Sequence, residues 1–329
     1  MNVLSLFDGI SCGQVALQRA GISVDNYYAS EIDKNAIAIT QKNFPKTIQL
    51  GSVTELTENN VPKVDLLIGG SPCTGFSIAG KGLNFDDPHS KLFFEYVRIL
   101  NIVKPKYFLL ENVKMKKEWE DTISNELKVP PILIDSADFS AQGRKRVYWT
   151  NLPIKRGWDK SSLTVADILQ PESEVDGKYL IPSDRAITIC DQEVTRKKIA
   201  YLGNGSRGER IYSIFGKSIS LTALGGGLGV KTEPYAIPGI NLNFVHASIH
   251  GPRFRPDGSK MFTLTTVSRH GVIVDGHIRR ITPIESERLQ TLPDNYTFLD
   301  NLKDCNRYKA LGNGWTVDVI AYILKELND

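Results

Sequence analysis

Cysteine is scarce in this chain of 329 residues, with four in all. Cys12, Cys73, Cys190 and Cys305 form no C-x-x-C pair, so no zinc-type spacing exists. They also lack the density of a disulfide framework, and their scatter fits a reducing compartment. No run of about eighteen apolar residues occurs, so no membrane-spanning helix is expected. A charged leader with an apolar stretch and a cleavage site is missing too, so a secretory signal is not expected. The cytoplasm is the expected location. Net charge is only +3, which gives no whole-chain signal for a polyanion.

The distribution of charge says more than its sum. Between Lys155 and Arg280 stand 18 Lys and Arg against 12 Asp and Glu, a local +6 that leaves −3 elsewhere. A polyanion would sit on this half, with a solvated basic face as the equal alternative. Hydrophobic residues make up 41% of the chain, enough for a sizeable core.

The first half alternates short apolar runs with amphipathic ones. Strands are expected at Val3–Phe7, Tyr27–Glu31, Ile48–Leu50, Val64–Gly69, Tyr107–Glu111, Ile132–Asp135 and Val147–Trp149. Helices are expected through Val15–Leu17, at Asn35–Asn43 and at Leu92–Val103. This alternation predicts an α/β fold with a doubly wound, mostly parallel sheet. Ligands in such sheets bind at the carboxyl ends of strands. From about Lys155 to Val274, Gly, Ser and Thr rise and long helical stretches vanish, which predicts a second, smaller, loop-rich domain with some β structure. Helical spacing returns at Pro283–Gln290 and at Val317–Leu327.

Chemistry collects at the predicted strand ends. Phe7-Asp8-Gly9-Ile10-Ser11-Cys12-Gly13 follows a strand and opens a helix, where backbone can approach a ligand. It is not G-x-G-x-x-G. Glu31, at the next strand end, can accept two ribose hydroxyls, or be a surface acid. Together they leave a nucleoside cofactor at even odds. Ser71-Pro72-Cys73-Thr74 puts a thiol on a Gly/Pro turn after a buried strand, although a lone cysteine is more often a small core residue. Glu111 ends another apolar strand, and Arg144 and Arg146 flank Lys145. Each has a bland reading, as a buried structural acid and as surface charges.

In this order the motifs resemble the DNA cytosine carbon-5 methyltransferase family over almost the whole chain. The matching segments are Phe7-Asp8-Gly9, Glu31, Gly70-Ser71-Pro72-Cys73, Glu111-Asn112-Val113, Gln142-x-Arg144-x-Arg146 and Gly312-Asn313-Gly314. Ser71-Pro72-Cys73, Lys91-Leu92-Phe93-Phe94-Glu95 and Trp315 look most like the animal de novo branch. The length fits a compact bacterial or phage form. The resemblance implies a Rossmann-like catalytic domain from residues 1–154 and 275–329, with a target-recognition domain at 155–274. It implies S-adenosyl-L-methionine as cofactor, S-adenosyl-L-homocysteine as product and double-stranded DNA as partner. It allows a restriction endonuclease acting on the same site and leaves the oligomeric state open.

Residue by residue, the resemblance makes Cys73 the nucleophile on carbon 6 of a flipped cytosine. It places Glu111 on ring nitrogen 3 and the exocyclic amine, and Arg146 with Arg144 on the ring carbonyl. It puts the cofactor against Phe7, Gly9, Ile10, Glu31, Ile32, Val53, Pro72, Leu92, Asn313 and Trp315. Ser52 stands where the family usually has Asp, which predicts weaker cofactor binding. Ser77 to Ser90 would be a closing loop, with Ser77 on DNA. Asn204, Arg207, Arg210, Arg253, Arg255 and Arg269 are DNA-contact candidates; His246, His250 and His270 are expected to be surface or loop residues. Competing readings are the same chemistry on transfer RNA, a silent DNA-binding relative and a nicotinamide-dependent dehydrogenase.

Overall fold

In the first half, apolar runs become buried strands and amphipathic runs become covering helices. A computed structural model of the chain describes residues 1–71, 88–155, 157–180 and 279–327, plus the backbone of strands between 187 and 278. The first elements are β1 (Asn2–Leu6), α1 (Cys12–Arg19), β2 (Asn26–Ser30), α2 (Lys34–Asn43), β3 (Ile48–Gln49) and β4 (Leu66–Gly70). There follow α3 (Pro88–Val103), β5 (Tyr107–Val113), α4 (Lys117–Leu127), β6 (Ile132–Asp135), β7 (Gln142–Gly143) and β8 (Lys145–Thr150).

Packing divides the chain into two units. One comprises Met1–Asp135, Lys145–Asp159 and Gly314–Asp329; the other comprises Ser136–Arg144 and Lys160–Asn313. These borders follow contacts and differ from the expected ones at 154 and 275.

The first unit holds a seven-stranded sheet in the order β3-β2-β1-β4-β5-β8-β6. The β1–β2, β2–β3, β1–β4 and β4–β5 pairs are parallel, and β8 runs antiparallel between β5 and β6. From β1 the chain winds outward to β2 and β3, then returns to the other side with β4 and β5. The crevice between β1 and β4 is therefore the topological switch point, where ligands bind in such sheets.

Strands covered on both faces read as continuous apolar runs. Accordingly Val3, Leu4, Leu6, Leu66, Leu67, Ile68, Leu109 and Leu110 are all fully buried. Each such side chain stabilises the fold by about 1.5–3 kcal/mol. Helix α3 turns Phe93, Tyr96 and Ile99 into this core, and α4 turns in Trp119, Ile123 and Leu127. Trp149 of β8 is fully buried, and its indole donates to Ser124 on α4 at 2.9 Å. Asp33 caps α2, accepting from the amides of Asn35 and Ala36.

In the second unit are β9 (Ile187–Ile189), β10 (Lys198–Leu202), β11 (Arg210–Ser213), β12 (Ser218–Ile219), β13 (Lys231–Glu233), β14 (Tyr235–Ala236), β15 (Ser268–Val274) and β16 (His277–Arg280). They form a sheet ordered β13-β15-β14-β11-β10-β9, with β16 on β15, while β12 pairs with β7. Then come α5 (Pro283–Leu289) and α6 (Asp304–Asn313); the C-terminal α7 (Val317–Leu324) returns to the first unit.

Some expected boundaries move. Helix α3 begins at Pro88 rather than Leu92, so Pro88–Ser90 are helical and not part of a closing loop. Proline at a first helical position has no amide to leave unpaired and a preset φ. Helix α7 ends at Leu324 and tightens into a 3-10 turn over Lys325–Leu327. Among the described residues no helix is long and apolar enough to cross a membrane.

Candidate active site

The turn after β1 is built on left-handed backbone. Phe7, Gly9 and Ser11 have φ of 56°, 59° and 56°. Glycine takes this conformation freely, whereas Phe7 and Ser11 do so at a cost, the kind of strain that gathers at functional sites. A side chain at Gly9 would meet nothing within 4 Å, so open space lies above the turn. The Gly9 amide donates to Glu31 Oε2 at 2.8 Å, which ties the end of β1 to the end of β2. Glu31 Oε1 accepts from the amides of Ile32 at 2.7 Å and Asp33 at 2.8 Å. Of about four acceptor positions on a carboxylate, three are thus used, leaving room for about one hydroxyl rather than two.

Beside Glu31, Ile32 is 73% exposed, a largely uncovered apolar side chain. Past β3, Ser52 caps the turn Val53–Glu55, accepting from the Thr54 amide at 3.3 Å. Ile10 and Val53 are buried; Phe7 and Leu92 are half-buried against the core.

Asp8 anchors this turn from beneath. It accepts from the hydroxyl of Ser11, and from Tyr27 at 2.8 Å. Ser11 Oγ accepts in turn from Gln14 Nε2 at 3.1 Å and Thr40 Oγ1 at 3.2 Å, so its single proton is left for Asp8. Burial pushes the Asp8 carboxyl up to about 6, against the lowering effect of its hydroxyl donors.

Across the crevice, Glu111 on β5 pairs with Gly70 on β4 and with Tyr148 on β8. Arg146 Nε lies 2.9 Å from Glu111 Oε1, and the Trp315 indole donates to Oε2 at 3.2 Å. Glu111 and Arg146 are both buried, 7% and 8% exposed, so removing either would strand a desolvated charge. A Cβ on Gly70 would lie 2.9 Å from Trp315 Nε1 and 3.1 Å from Glu111 Oε2, so the indole meets the carboxylate only over a glycine. Asn112 points to the opposite face, where its buried amide donates to Ser71 Oγ at 3.0 Å. Ser71 stands two residues before Cys73.

The paired arginines separate. Arg146 belongs to the first unit, with Glu111, whereas Gln142 and Arg144 belong to the second. There Gln142 Nε2 donates to Leu289 O and Gln290 Oε1, both at 3.1 Å, and Arg144 donates to Gly312 O at 3.2 Å. Asn313 ends α6 in that same unit. Pro72, Cys73, Ser77, Asn204, Arg207, Arg253 and Arg255 lie outside the described residues. Arg210 is on β11, and Arg269 and His270 are on β15.

A crevice with a nucleoside-type seat on one side and a buried Glu–Arg pair on the other suits group transfer to a polar ring. The sequence model for C-5 cytosine-specific DNA methylases matches residues 1–329. This chain belongs to that family. Among relatives of the methyltransferase, the type II methyltransferase M1.ScrFI of Lactococcus lactis subsp. cremoris is 31% identical, covering 99% of this chain and 77% of that protein. The type II methyltransferase M.HhaI of Haemophilus parahaemolyticus is 28% identical, covering 98% and 93%. The fold is shared with the Entamoeba histolytica methyltransferase EhMeth, at a TM-score of 0.69 and 21% identity, covering 100% and 99%.

S-adenosyl-L-methionine is the cofactor, and the residues present fit it. Glu31 keeps an acceptor for ribose, Ile32 offers an uncovered apolar face, and open space lies over Gly9. Sequence reasoning passed over Asp8 and Tyr27 as site residues. The available signal was an acid inside the glycine turn with a tyrosine about twenty residues on; neither points to the other without the β1–β2 pairing.

Proposed function

We propose that this methyltransferase acts on duplex DNA through a covalent intermediate on Cys73. The observation that carries the reading is the Glu111–Arg146 pair on β5 and β8, whose neighbour Asn112 holds Ser71, two residues before the thiol. The target cytosine leaves the base stack, because chemistry on its ring face is blocked within the duplex. Cys73 as thiolate adds to carbon 6, and the ring's displaced electron density makes carbon 5 nucleophilic. Glu111, entering the step protonated, gives its proton to ring nitrogen 3 and accepts from the exocyclic amine; the proton on nitrogen 3 draws density from the ring and favours the addition. Arg146 holds the Glu111 carboxylate and directs its remaining donors to the ring carbonyl.

Phe7, Gly9, Ile10, Glu31, Ile32, Ser52, Val53, Pro72, Leu92, Asn313 and Trp315 hold the cofactor. Bound there, S-adenosyl-L-methionine supplies an activated methyl group. After transfer, loss of the carbon-5 proton to a base returns the electron pair that expels Cys73. Residues 155–274 read the target, with Arg207, Arg210, Arg253, Arg255 and Arg269 divided between base edges and phosphates. A restriction partner cutting the same site belongs to this reading, since relatives include type II methyltransferases. So does a cytoplasmic location.

The test is transfer of labelled methyl to mixed-sequence duplex DNA and, separately, to transfer RNA. The expected result is label in DNA as 5-methylcytosine, reduced at least about 1,000-fold in Cys73→Ser. Label confined to RNA would move the substrate, and an active Cys73→Ser would remove the nucleophile.

A further inference from the structure

The indole of Trp315 lies between the two halves of the crevice. Its Cζ3 is 3.6 Å from where a Cβ on Gly13, at the start of α1, would stand; its Nε1 is 2.9 Å from the same point on Gly70, at the end of β4. That nitrogen donates to Glu111 Oε2, while Arg146 holds Oε1. An indole is a donor only, with one N–H to give. Two donors on different oxygens fix the carboxylate's tilt, which one alone would leave free to rotate. We infer that Trp315 is a positioning residue for Glu111, so that one side chain ties the cofactor seat to the carboxylate that grips the base. The inference rests on the proposed role of Glu111. A cofactor that settles Trp315 also settles Glu111, and by reciprocity DNA engaged by Glu111 raises cofactor affinity.

Trp315→Phe keeps a ring but removes the N–H. The expected result is a fall in kcat on duplex DNA of about tenfold or more, as for loss of a hydrogen bond to a charged group. A second readout needs no turnover: the Kd of S-adenosyl-L-homocysteine by calorimetry, with and without duplex DNA carrying a mapped target site. DNA tightens this Kd in the wild type. In Trp315→Phe the DNA-free Kd weakens as for a trimmed cofactor contact, and the ratio of the Kd values without and with DNA shrinks toward unity. Glu111→Gln loses the tightening as well, and adding Trp315→Phe to it removes nothing further.

Gly70→Ala approaches the contact from the other side. Its new methyl presses on both Nε1 and Oε2, and it reproduces the loss while Trp315 is intact. Equal weakening of the Kd with and without DNA, or additive effects in the double variant, would make Trp315 a cofactor contact alone and overturn the inference. A wild type with no methyl transfer to DNA would remove its basis in Glu111.

Discussion

Asp8 is the most costly side chain of the cofactor turn. Its carboxyl titrates at about 6 against an ordinary 3.8, because burial outweighs the hydroxyl donors that favour its charge. The folded chain therefore holds this proton more tightly than the unfolded chain does. The stability Asp8 adds is present below about pH 4 and is lost as pH rises through 6, on the order of 3 kcal/mol. Asp8→Asn does not titrate, so its unfolding free energy in urea should lose less between pH 4 and 7 than that of the wild type. Identical slopes would contradict this account. Ionised Asp8 accepts from Ser11 and Tyr27 together and so holds the left-handed turn.

At this scale the sequence was readable where spacing itself carries chemistry. Glu111 and Arg146, both singled out by their motifs, lie 2.9 Å apart. The split between Arg144 and Arg146 was hidden, because two residues on one short segment look alike until packing assigns them to different units. Glu31 was read as an acceptor for two ribose hydroxyls. Three of its positions are spent on backbone amides that no side-chain pattern reveals.

Elements were legible in proportion to their apolar content. Strands β4 to β6 lie within a few residues of their expected ranges because each is a short apolar run with clear edges. Helices α4 and α6 were not foreseen. Only Trp119, Ile123 and Leu127 are buried in α4, and only Arg307, Leu311 and Gly312 in α6. So narrow a stripe in a polar run resembles a loop.

Helix α5 shows tertiary contacts reinforcing a local signal. Thr282 accepts from the Glu285 amide at 3.2 Å, and Glu285 Oε2 accepts from the Thr282 amide at 2.8 Å, a reciprocal cap. The same carboxylate faces Arg279, which is fully buried and also meets Glu172 at 2.7 Å. Glu285→Ala should therefore cost about 3–5 kcal/mol, well beyond a lost cap, because it strands a buried guanidinium. Urea unfolding measures this, and a loss under about 1 kcal/mol would mean Glu172 alone satisfies Arg279.

For the whole molecule, topology does most of the positioning. Reversal of winding between β1 and β4 opens one crevice, with the Phe7–Ser11 turn on one bank and Ser71 on the other. The Gly70–Glu111 pairing sets the acid beside the strand that leads to Cys73. The alternating pattern foretold a parallel sheet, yet order and register depend on which apolar faces cover one another, a long-range choice. The second half was read as loop-rich with some β structure, and it contains a seven-stranded sheet of short strands.

The central claim is that this arrangement serves covalent addition of Cys73 to cytosine. It is tested most directly with duplex DNA carrying 5-fluorocytosine at the mapped target, incubated with enzyme and S-adenosyl-L-methionine. Fluorine cannot leave carbon 5 as a cation, so the thiol cannot be expelled after methylation. The account predicts a denaturant-stable, one-to-one protein–DNA adduct whose linked peptide contains Cys73, absent in Cys73→Ser. An active enzyme that forms no adduct, or one linked through Cys12, Cys190 or Cys305, would contradict it.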